Sequence, residues 1–97
     1  MNATIEMNPS SQDPARHALQ AVEGVLQRIN YRTGEFKMVT AGKVWYFKLD
    51  PNCRLFFDDK EAILRCFHPL DPVRVVFQPA PENHRAHALY AWEKVYA

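Results

Sequence analysis

The sequence predicts a mainly β domain: a small, partly open five-stranded barrel with one or two short helices. Three observations carry that reading. Apolar residues recur with period two in four or five separate short stretches, as half-buried strands require. Glycine, proline and aspartate punctuate those stretches where turns or bends would fall. The densest stretch, from Lys43 to Asp50, sets Trp45, Phe47 and Leu49 on one face and Val44, Tyr46 and Lys48 on the other.

The chain of 97 residues has room for one domain, expected over 13–97, and one modest core. Hydrophobic residues at 47% and charged residues at 24% exclude wholesale disorder. No apolar run approaches the roughly 20 residues needed to cross a bilayer, and no basic-then-apolar leader opens the sequence, so the expected setting is cytoplasmic, without a membrane partner. Cys53 and Cys66 fit neither a disulfide framework nor a common zinc spacing and are expected as reduced, semi-buried thiols.

Residues 1–12 show no sustained apolar period and read as a disordered tail. Asp13-Pro14 offers an N-cap and a first-turn proline, predicting a short helix over about Pro14–Gln20 that covers a barrel end with Leu19. Val22, Gly24 and Leu26 alternate as a first strand. The next apolar position, Ile29, is out of phase, which predicts a β-bulge near Gln27-Arg28. Tyr31 to Gly34 is a turn, Phe36 and Met38 face inward from a second strand, and Ala41-Gly42 joins it to Lys43–Asp50 as an antiparallel hairpin.

Asp50-Pro51-Asn52 is expected to stop the third strand, because proline donates nothing to a ladder. Asp58-Asp59-Lys60 reads as a turn, and Glu61–Phe67 as one or two helical turns placing Ile63, Leu64 and Phe67 on the core. Val73, Val75 and Phe77 alternate in a further strand, and Pro79–Asn83 is a loop. The segment from His84 to Tyr96 carries two patterns. Ala86, Ala88, Tyr90 and Trp92 alternate as in a strand, while Ala88, Leu89, Trp92 and Val95 suit a helix. The strand is preferred, because without it the strand of Phe77 would be a bare edge.

The order Gly24-Val25-Leu26, Gly34-Glu35-Phe36-Lys37-Met38, Lys43-Val44-Trp45-Tyr46-Phe47, Val73-Arg74-Val75-Val76-Phe77 and Arg85-Ala86-His87-Ala88 resembles the strand order of cold-shock-type OB-fold domains, and of other small bacterial barrel domains, over about 70 residues. That resemblance implies an OB-like barrel binding single-stranded RNA or DNA through basic and aromatic residues on its second and third strands. The chain departs from the family pattern. Gly34-Glu35-Phe36-Lys37-Met38 has one aromatic and an added carboxylate where the family carries a Lys-Gly-Phe-Gly-Phe type motif.

Charge gives the same surface some support. Arg28, Arg32, Lys37, Lys43, Lys48 and Arg54 stand against only Glu35 and Asp50 between residues 24 and 54, a local balance of +4 within an overall +1. The candidate nucleic-acid-binding residues are therefore Arg28, Lys37, Lys43, Tyr46 and Lys48, with Tyr46 as the stacking ring. The alternative is a protein-interaction or structural barrel using a strand edge, with Tyr90, Tyr96 or Val76 exposed. No enzyme activity, metal site, cofactor or small-molecule substrate is expected. His84 and His87 point oppositely in a strand, and no third ligand accompanies Cys66 and His68.

Overall fold

The computed structural model describes residues 18–93. The expected tail, residues 14–17 of the expected first helix, and Val95 and Tyr96 lie outside the described residues. The rest of that helix is corrected. Gln20 already belongs to a strand and Leu19 is exposed, because the first strand reaches back far enough to pair Gln20 with Phe77. A ladder against a Val-rich strand outweighs the marginal helicity of seven residues.

Six strands follow in order: β1 (Gln20–Ile29), β2 (Glu35–Thr40), β3 (Lys43–Phe57), β4 (Lys60–Glu61), β5 (Pro72–Gln78) and β6 (His84–Ala91). Five of them close a ring in the order β1-β2-β3-β6-β5 and back to β1, with β4 appended to the end of β3. The β3–β6 pair is parallel and the others are antiparallel. The expected mainly β barrel is therefore the observed one, and its ring is closed. Among the described residues the only helical element is one 3-10 turn, Leu64–Cys66, and no helix is long and apolar enough to cross a membrane.

The irregularity expected in β1 is present: its register against β2 shifts between Leu26 and Arg28, which brings Ile29 back into line with the core. Gly24 sits where β1 closes on β2. A Cβ there would lie 2.5 Å from the Val39 carbonyl oxygen and 2.6 Å from Met38 Cε. The β2–β3 hairpin turns at Ala41-Gly42, both with positive φ, and sets Lys37 opposite Tyr46.

Three expectations are corrected. Asp50-Pro51-Asn52 does not end β3, which runs on to Phe57. The β3–β6 register instead breaks there: Leu49 faces Ala86 and Arg54 faces Ala88, so residues 50–53 stand opposite His87 alone. Pro51 is tolerated because β2 pairs no further along β3 than Lys48, so the missing N–H removes no ladder bond. The helix expected over Glu61–Phe67 shrinks to the 3-10 turn, because Asp58 and Asp59 both adopt positive φ and fold Lys60 and Glu61 back onto β3. Phe67 is buried and Leu64 packs against the core, but Ile63 points to solvent.

The segment after His84 is a strand, with its alternation broken at His87. Ala86, Leu89 and Ala91 are buried, whereas Tyr90 stacks outside on Phe56 at 5.1 Å. The core has Phe47 at its centre, 5.0 Å from Phe36 and 5.3 Å from Phe77, surrounded by Leu26, Met38, Phe67, Val73, Val75 and Leu89. Ile29 and Trp45 pack against this core from its partly exposed margin.

Candidate functional site

The outer face of β1, β2 and β3 is built by register. Val25, Val39 and Val44 align across the three strands in one row, and Arg28, Lys37 and Tyr46 in the next. Strand alternation turns these residues away from the core, leaving Tyr46 51% exposed. Arg28, Lys37 and Tyr46 border one shallow cavity of about 320 Å³ together with Asn30 and Asn83.

The remaining candidates are placed differently. Lys48 pairs with Glu35, and both border the adjoining cavity of about 750 Å³ between the 49–51 bend and the 80–83 loop. Lys43 belongs to the opposite face of β3, where its Nζ lies 4.6 Å from the centre of the Trp45 ring. The five residues therefore do not form one patch, and the face presents a single exposed ring with a carboxylate beside it.

His84 occupies one end of the barrel, its ring 5.7 Å from Trp45, 5.7 Å from Phe47 and 5.0 Å from Phe77. Its Nδ1 accepts the Ala80 N–H at 3.1 Å, which ties the loop after β5 to the start of β6. Burial, reinforced by the nearby Lys43 charge, holds its pKa below the ordinary imidazole value. His87 is separate. It borders a cavity of about 330 Å³ with Asp50, Gln78 and Arg85, where Arg85 Nη1 lies 3.1 Å from Asp50 Oδ1. The Asn52 N–H donated to Asp50, followed by the Arg85 contact, lowers the Asp50 pKa.

A third feature escaped the sequence reading. Cys53 and Cys66 border one open cleft of about 650 Å³ with Arg54, Leu55, Glu61 and Ala62. The Asp58-Asp59 turn makes this juxtaposition. Phe57 pairs with Lys60 and Phe56 with Glu61, Ala62 donates to the Leu55 carbonyl, and the 3-10 turn then carries Cys66 back toward Cys53. Both thiols are free. Cys53 is half-buried, but Cys66 is exposed, against the expectation for the pair. The signal lay in their near-symmetric placement about the turn at 58–59. Burial, and secondarily the charge of Asp50, pushes the Cys53 thiol up to about 12. Among the described residues no group of three or more His, Cys, Asp or Glu side chains could hold a metal ion.

Two solved structures of silver(I)-bound CusF share this fold. The chain is 12% identical to each. One match covers 76% of this chain and 97% of the other with a TM-score of 0.57; the second, to residues 10–88 of the Escherichia coli protein, covers 76% and 91% with a TM-score of 0.58. No protein-family model and no curated protein sequence matches the chain. At this identity the likeness defines a fold, a small closed OB-like barrel, and the cold-shock resemblance finds no support. The single-stranded RNA or DNA reading is corrected with it. The two solved structures of this fold hold silver(I), and Lys43 lies on the opposite face of β3 from Tyr46 and Lys48. A barrel without a nucleic-acid partner fits better.

Proposed function

We propose that the chain is a non-catalytic binding barrel that takes a protein partner by strand addition to β1. The observation that carries this reading is an unequal edge. From Gln20 to Glu23, β1 pairs with β5 on one side, while pairing with β2 begins only at Val25. Because strand N–H and C=O groups alternate sides, two of these four residues present backbone donors and acceptors on the side away from β5 among the described residues. The apolar side chains of Leu19 and Val25, 55% and 43% exposed, flank them. An extended segment laid there would gain main-chain hydrogen bonds, with apolar anchors at either end.

A photo-crosslinking side chain at Ala21, with Glu93 as the control position, tests the reading. One defined protein adduct at Ala21 that survives a several-fold rise in salt is expected, since edge bonding is screened far less than phosphate tracking. Equal labelling from both positions would defeat it.

A second reading, that the barrel binds a soft monovalent cation, has its own support. The solved structures of this fold hold silver(I), and this chain brings two thiols to one cleft.

A further inference from the structure

We infer that Cys53 and Cys66 form a two-sulfur site for a monovalent soft cation, silver(I) or copper(I), in the cleft between the end of β3 and the 3-10 turn. The inference rests on the soft-cation reading above and gives it a location, a donor set and a stoichiometry.

The donors decide the class of ion. Thiolate sulfur selects soft cations, whereas carboxylate and carbonyl oxygen select hard ones. A structural zinc ion takes four ligands in a tetrahedron, and the described residues provide no group of even three His, Cys, Asp or Glu side chains. Closed-shell monovalent silver and copper accept two sulfurs in a near-linear arrangement, so a pair suffices. Met38 is sealed in the core, and His84 Nδ1 accepts the Ala80 N–H.

The two sulfurs differ in a useful way. Cys66, on the turn, is exposed and can make first contact with an ion from solution. Cys53 packs against the core, and its Sγ donates to the Arg54 carbonyl oxygen at 3.6 Å, so it completes the site only by releasing that bond and its proton. Binding converts two thiols and one cation into a bis-thiolate complex of charge −1 and frees two protons. No electron moves. Arg54, in the same cleft and 3.7 Å from Glu61, lies within reach of that charge.

The test is a silver(I) titration of the reduced full chain in chloride-free buffer, reading thiols reactive toward Ellman's reagent, melting temperature and oligomeric state. One equivalent should mask both thiols in a monomer and raise the melting temperature by about 5 °C or more, with no comparable shift from zinc(II). Cys66→Ser, a change at an exposed position, should fold normally and lose the shift. Masking that needs two equivalents, one per thiol, would overturn both the inference and the soft-cation reading. A 1:1 shift that persists in Cys66→Ser would overturn the two-sulfur site and leave the reading standing. A silver-bridged dimer would also overturn the site, because the sulfurs would then come from two chains.

Discussion

Leu70 is a leucine in left-handed backbone, with φ 79°, held there because its N–H donates to the Leu26 carbonyl at 2.7 Å. That conformation brings a leucine Cβ against the carbonyl oxygen at a cost of about 1–2 kcal/mol, and the side chain is 65% exposed, so little burial offsets it. Leu70→Asn should therefore stabilise the domain by about 0.5–1 kcal/mol, seen as a rise of a few degrees in melting temperature. Gly24 presents the reverse case. Its φ is not in the left-handed region, and its constraint is space: a Cβ would meet the Val39 carbonyl oxygen, Met38 Cε and Thr40 Cβ at 2.5, 2.6 and 2.9 Å. Methionine can swing aside, but backbone cannot. Gly24→Ala should lower the urea midpoint by an amount equivalent to about 1–3 kcal/mol, with an unchanged slope.

At the scale of elements, the Asp58-Asp59 turn governs everything between β3 and β5. Both residues have positive φ, 50° and 67°, the geometry of a two-residue hairpin that favours glycine or asparagine. Asp58 also accepts the Glu93 N–H at 3.1 Å, whereas Asp59 makes no such tie. Asp59→Gly should then raise the melting temperature by about 2–4 °C, equivalent to about 0.5 kcal/mol, while Asp58→Gly should show no gain because it loses the tether. Period-two stretches made β1, β2, β5 and the first half of β3 legible, and the slip from Leu26 to Ile29 located the β1 bulge within a residue. Proline misled at Pro51, since a strand that has outrun its neighbour needs no donor on that side. Helical spacing misled at Ile63, Leu64 and Phe67, because those few residues are shared between the hairpin return and one tight turn. The second bulge, at His87, left no mark: small alanines on both sides of the phase change make either alternation read equally well.

At the scale of the whole molecule the site was less legible than the fold, because a surface is assembled by register between strands. Residue types alone do not give that register. The hairpin turn at Ala41-Gly42 sets Lys37 opposite Tyr46, and the β1 register adds Arg28 to that row, yet what the row binds does not follow from its alignment. Lys43 shows the limit in one residue: it counts toward a basic segment in the sequence, but in the barrel it sits over the Trp45 ring.

His84 connects the closed end of the barrel to pH. It contacts Trp45, Phe47 and Phe77, and its Nδ1 must be unprotonated to accept the Ala80 N–H that holds the loop after β5. Burial and the Lys43 charge both favour the neutral ring, so the folded-state pKa lies below the unfolded value of about 6.5. A depressed pKa fixes the sign. Near pH 7.5 the contribution is fully present in the fold, and it is lost as pH falls through 6.5 toward the folded-state value, because the unfolded chain then binds a proton that the folded chain refuses. The melting temperature should accordingly fall between about pH 7.5 and 5.5, and the amides of Ala80, Glu82 and Asn83 should lose protection, measured against their intrinsic exchange rates, over the same interval. His84→Gln supplies a non-titrating acceptor and should remove that part of the slope. An identical pH profile in the variant would show that the loop anchor does not sense protons.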